Sequence, residues 1–134
     1  MTYALDTNVI IHLLQNRPGV SKRFDNAVEA EEAKIIIPPY VNFEIRHGFR
    51  YASAPNKERT YQQLCARYAV GEMNEDVWEC AAGIYADLRR AGFTVGDADI
   101  LIAAFCIVNG CILVTGNPKD FENIAGLTFE DWTK

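Results

Sequence analysis

Short apolar runs separated by long stretches of helical spacing constrain this chain more than any other feature. Residues 2–5, the run Ile35-Ile36-Ile37 and the run Cys111-Ile112-Leu113-Val114 are each too short for a helix and rich in strand-forming residues. The second closes on Pro38-Pro39, and the third runs into Thr115-Gly116-Asn117-Pro118. Strands of unbroken apolar character, with helices between them, belong to a parallel sheet covered on both faces, because parallel neighbours need a crossover connection. The expectation is a three-layer α/β domain, with Leu127-Thr128-Phe129 as a late edge strand.

The helical stretches are legible in turn. Val9, Ile10, Leu13 and Leu14 recur at helical spacing, with Pro18-Gly19 read as the stop. A second helix is predicted over residues 20–32, a third over residues 40–51, and a fourth that follows Pro55-Asn56 and runs to about Tyr68. Residues 74–90 carry the clearest signals. Asn74 caps, Glu75 and Asp76 suit the positive end of the dipole, Val77, Ala81, Ile84 and Leu88 form the buried stripe, and Gly92 ends it. Residues 97–108 are apolar nearly all round, which predicts a central helix.

A length of 134 residues with 49% apolar and 23% charged side chains fits one packed domain over residues 1–134 and argues against disorder. The longest apolar run, residues 100–108, falls far short of the roughly 20 residues a membrane span needs. Asp6 interrupts any secretory leader, so a cytoplasmic protein is expected. Cys65, Cys80, Cys106 and Cys111 form no C-x-x-C pair and have no histidine at zinc-ligand spacing, which makes them reduced core residues. The net charge of −5 weighs against a nucleic-acid partner, yet residues 45–67 hold Arg46, Arg50, Lys57, Arg59 and Arg67 against the single acid Glu58.

In open parallel sheets, ligands bind beyond the carboxyl ends of the strands. The first strand ends in Asp6-Thr7-Asn8, and the 111–114 strand ends in Thr115-Gly116-Asn117 with Asp120 shortly after. Asp97 and Asp99 stand at the start of the helix feeding that strand, and Glu44 lies within the third helix between apolar neighbours. Each has a plain structural explanation taken singly: Asp6 as a helix cap, Asp97 and Asp99 as acids complementing a dipole, Glu44 as a solvated residue, Asp120 as a turn residue. Together they attach to different elements that can meet at one end of one sheet.

The order D-T-N-V-I at residues 6–10, F-E at 43–44, D-I-L-I-A-A at 99–104 and L-V-T-G-N-P-K-D-F at 113–121 resembles the PIN-domain nucleases. The D-x-x-I-A-A segment, the strand ending in T-x-N and the closing E-D-W at residues 130–132 resemble the VapC toxins of that family. The resemblance implies a parallel sheet of about five strands flanked by helices. It implies a metal-dependent endoribonuclease in which Asp6, Glu44 and Asp99 are the acidic core of a Mg²⁺ or Mn²⁺ site. Asp97 is then the extra acid of a G-D-A-D variant, acting through water or behind the ligands. Asn117 stands where many members carry another aspartate, so either Asp120 supplies that charge or Asn117 gives a neutral oxygen. Asn8 and Thr115 match the polar positions that hold ligands in place. The resemblance further implies an RNA substrate, transfer RNA among the targets it allows, a VapB-type antitoxin and a homodimer.

Carboxylate oxygens suit hard octahedral cations, and neither cysteine nor histidine is required. Phosphates of the substrate need cations, for which Arg46 and Arg50 are candidates, with Arg59 and Arg67 further out. Tyr51 or Tyr61 is read as a stacking partner for an unpaired base, and His47 as adjacent to the pocket. A haloacid-dehalogenase-type phosphotransferase would want a second aspartate where Asn8 stands, and a response-regulator receiver an acidic pair and a phospho-acceptor that the chain does not clearly offer. The serious alternative is a non-catalytic PIN-like module that binds RNA or protein, supported by Asn117.

Overall fold

The computed structural model describes residues 1–134. Its strands are β1 (Thr2–Leu5), β2 (Lys34–Ile37), β3 (Ala69–Val70), β4 (Ile112–Val114) and β5 (Phe129–Glu130). Its helices are α1 (Thr7–Leu14), α2 (Pro18–Glu29), α3 (Pro39–Tyr51), α4 (Pro55–Arg67), α5 (Glu75–Arg90) and α6 (Asp97–Val108). The sheet order is β3-β2-β1-β4-β5, and all four neighbouring pairs are parallel. The expected α/β architecture and strand number are therefore observed. From the centre at β1 the chain first builds outward through β2 and β3, then returns to add β4 and β5 on the other side. The reversal leaves a switch point between β1 and β4, where a crevice opens at the carboxyl ends of the strands.

The core is one cluster of 28 buried apolar residues. Helix α6 contributes Ile100, Ile102, Ala103, Ala104, Phe105 and Cys106, and packs against α5, α3 and β4, so its central placement follows from its all-round apolar surface. Asn74 caps α5 by accepting from the Val77 N–H at 3.0 Å, as its sequence signals predict. All four cysteines are free, with Cys106 and Cys111 buried.

Several boundaries differ from the sequence reading, for identifiable reasons. Pro18 does not stop α1. That helix ends at Leu14, Asn16 turns the chain at φ 56°, and Pro18 opens α2. Pro39 and Pro55 open α3 and α4 in the same way, because the first helical residue needs no N–H partner and proline's fixed φ already suits a helix. Helix α2 stops at Glu29, short of the expected residue 32, where Glu32 takes φ 52°. The late edge strand is shifted to Phe129–Glu130, and the two-residue β3 was not foreseen. Two residues carry no periodicity to read. The strand exists because Ala69 and Val70 complete the edge of β2.

Candidate metal centre

Asp6 is the first residue past β1 and Thr115 the first past β4, so the switch point brings them side by side. The Asp6 N–H donates to the Val114 carbonyl at 2.9 Å, which extends the ladder and fixes the aspartate's backbone. Its two carboxylate oxygens are both engaged. Oδ1 accepts from the Thr7 N–H at 2.8 Å, capping α1, and Oδ2 accepts from Thr115 Oγ1 at 2.7 Å. Thr115 is fully buried, and its Oγ1 also accepts from the Asn117 N–H at 3.0 Å. Asp6 thus caps α1 with one oxygen and meets the end of β4 with the other.

Glu44 reaches the same place from α3. Thr7 Oγ1 donates to its Oε1 at 2.9 Å, so α1 is the bridge between Asp6 and Glu44. Asp99 stands in the first turn of α6, half-buried. Asp120 closes the short 3-10 turn Pro118–Asp120 and, with Asp99 and Lys119, lines a cleft of about 180 Å³.

Electrostatics ties these acids to one another. Burial and the negative charges of Asp120, Asp6 and Glu44 push the Asp99 carboxyl up to about 6. Asp6 is also raised, chiefly by burial and further by Asp120, against the lowering effect of its bonds to Thr115 and Thr7. None of the molecule's three ion pairs involves any of the four acids, so none of them is held in a salt bridge. An all-oxygen, uncompensated donor set fits a divalent cation with a preference for oxygen ligands. The carboxylates surround the spot without meeting at it: no three His, Cys, Asp or Glu side chains are close enough to grip an ion as they stand.

The other sequence candidates divide. Asp97 is exposed at the start of α6 and is absent from the charges acting on Asp6 and Asp99. Asn8 and Asn117 are exposed, and Asn117 engages Thr115 through its backbone. Arg46 and Arg50 are exposed on α3, and Arg50 is 3.4 Å from Glu58. Tyr61 is not available for stacking, because it is fully buried with its hydroxyl donating to Asn42 Oδ1 at 2.8 Å. Its place at the seventh position of α4, facing α3, is what buries it. The hydroxyl of Thr7 was missed as a link to Glu44. Its position directly after Asp6 was the only available signal.

The sequence pattern of the PIN domain matches residues 3–127. Over their full lengths, the chain and ribonuclease VapC1 of Haemophilus influenzae are 29% identical. The tRNA(fMet)-specific endonuclease VapC of Shigella flexneri is likewise 29% identical, with 99% of each chain covered. Among solved structures, VapBC-1 from nontypeable Haemophilus influenzae superposes with a TM-score of 0.87 at 28% identity, covering all of both chains.

Proposed function

Because this chain belongs to the PIN domain family, we propose that it is a metal-dependent endoribonuclease, the toxin of a VapBC-type toxin–antitoxin pair. Residues 1–134 act as one PIN domain, and the substrate is RNA, with transfer RNA included by the Shigella relative. The observation that carries the reading is the gathering of Asp6, Glu44, Asp99 and Asp120 around the β1/β4 switch point with no salt-bridge partner for any of them.

Asp6, Glu44 and Asp99 are the proposed ligands of Mg²⁺ or Mn²⁺, directly or through water. When bound, the ion supplies charge neutralisation at the scissile phosphate and an acidified water. The residues of the chain do the positioning. Thr115 and the Thr7 N–H hold the Asp6 carboxylate in one orientation, and the Thr7 hydroxyl holds Glu44. Asp120 supplies the charge that Asn117 lacks, since it acts on both Asp6 and Asp99. Asp97, exposed at the start of α6, is assigned a role through water only.

A VapB-type antitoxin is the proposed partner, on the strength of the VapBC-1 structure, and a homodimer follows from the family resemblance. No helix is long and apolar enough to cross a membrane. The decisive variant is Asp6→Asn. It should abolish RNA cleavage while circular dichroism and the melting transition remain those of a folded protein. An unchanged cleavage rate in contaminant-free enzyme would refute the assignment.

A further inference from the structure

The cationic stretch of the sequence takes a definite shape on α3. Phe43, Arg46, His47 and Arg50 recur at steps of three and four, so they share one face. With Asn42 they line a cleft of about 290 Å³. Phe43 is 57% exposed, a large apolar ring left in solvent. Its ring meets His47 edge-on at 4.7 Å between centroids and Tyr40 at 5.7 Å. These contacts hold the ring without covering it. Arg46 has no carboxylate partner, and Arg50 has only the 3.4 Å approach of Glu58. The Asn42 carbonyl oxygen is occupied by the Tyr61 hydroxyl, which leaves its amide N–H groups as donors.

The cleft thus combines an aromatic pair with two guanidinium groups and an amide's free N–H donors, on a molecule of net charge −5. Glu44 follows Phe43 directly and lies one turn before His47, so the platform borders the proposed metal centre. We propose that this face is a substrate subsite for an unpaired ribonucleotide next to the cleaved bond. The base stacks on Phe43 and His47, while Arg46 and Arg50 hold the adjoining phosphate. An acidic peptide would engage the arginines alone and leave the aromatic pair without a role. The proposal rests on the endoribonuclease reading, and its test separates the two.

Binding of a labelled single-stranded RNA oligonucleotide of mixed sequence, and of its duplex, is measured by fluorescence anisotropy in EDTA across a salt series. Cleavage kinetics are measured on the same strand with Mn²⁺. Phe43→Ala should weaken single-strand binding about tenfold, raise KM to match and leave the salt slope unchanged, and Phe43→Trp should restore it. Arg46→Ala should weaken binding and lower the salt slope by about one. Arg90→Ala, at the far end of α5, controls for lost charge. Duplex binding should be insensitive to Phe43. If the parent cuts RNA but Phe43→Ala binds and cuts like it, the subsite is wrong and the nuclease reading stands. If nothing is cut yet Phe43→Ala still loses single-strand binding, the subsite stands and the nuclease reading fails. Unchanged RNA binding in both variants, with lost binding of an acidic peptide, would assign the face to a protein partner and overturn the proposal.

Discussion

Asp6 divides its carboxylate between the Thr7 backbone and the Thr115 hydroxyl, and Thr115 in turn receives the Asn117 N–H. This short relay ties the ends of β1 and β4 together through side chains. Thr115→Val keeps the shape of the buried side chain but removes the donor to Asp6. It should cost about 10- to 100-fold in the divalent-ion concentration needed for cleavage, read from a metal titration of the rate. Asp99 makes a separate prediction. Its carboxyl ordinarily titrates at 3.8 and is raised to about 6 in the folded protein. Between those values the folded form holds a proton that the unfolded chain has released. Stability of the ion-free protein should therefore fall as pH rises through that window and stay lower above it. A bound cation removes the repulsion. The rise in Tm caused by Mg²⁺ or Mn²⁺ should thus be larger near pH 7.5 than near pH 5, and scanning calorimetry at both checks the sign. Asp6 and Asp120 were legible because they follow strand ends, whereas Glu44 and Asp99, both within helices, entered the site through the family resemblance. The Thr7–Glu44 bond was not legible, since the contact spans 37 positions and depends on how α3 docks against α1.

At the scale of elements, legibility followed periodicity. Helices α3 to α6 matched the reading nearly end to end: α5 repeats its apolar stripe behind a cap, α6 is apolar nearly all round, and prolines stand at the starts of α3 and α4. The errors gathered where one residue type has two uses. Proline both ends and begins helices, and only the three-dimensional path shows that Pro18, Pro39 and Pro55 begin them. Strand β3 illustrates the opposite limit, an element set wholly by its neighbour. The chain leaves it at Gly71, whose N–H donates to the Ile37 carbonyl at 2.8 Å, and a Cβ there would fall 2.2 Å from the buried Phe105 ring. Gly71→Ala should destabilise the protein by about 1–3 kcal/mol through overpacking, measured by chemical denaturation. Removing the α5 cap with Asn74→Ala should cost about 1 kcal/mol by the same assay. The larger loss belongs to the glycine, because its neighbour ring is enclosed and the cap is at the surface.

For the whole molecule, the parallel order β3-β2-β1-β4-β5 explains why residues from positions 6, 44, 99 and 120 lie near enough to act on one another's charge. The sheet reverses direction of growth at β1, and everything that leaves the carboxyl ends of β1 and β4 faces one crevice. The net charge of −5 does not oppose an RNA substrate once its distribution is known. Four of the acids sit in that crevice, where an ion would offset them, and α3 presents Arg46 and Arg50 beside it. The central claim is that these carboxylates hold the ion that cleaves RNA. It is tested most directly by incubating a mixed RNA pool with purified protein in Mg²⁺, Mn²⁺ or EDTA, beside Asp99→Asn. Cleavage that requires the ion, and falls at least about a hundredfold in a variant that melts like the parent, is the expected result. RNA left intact by the folded, inhibitor-free parent, or cut equally by Asp99→Asn or in EDTA, would contradict it.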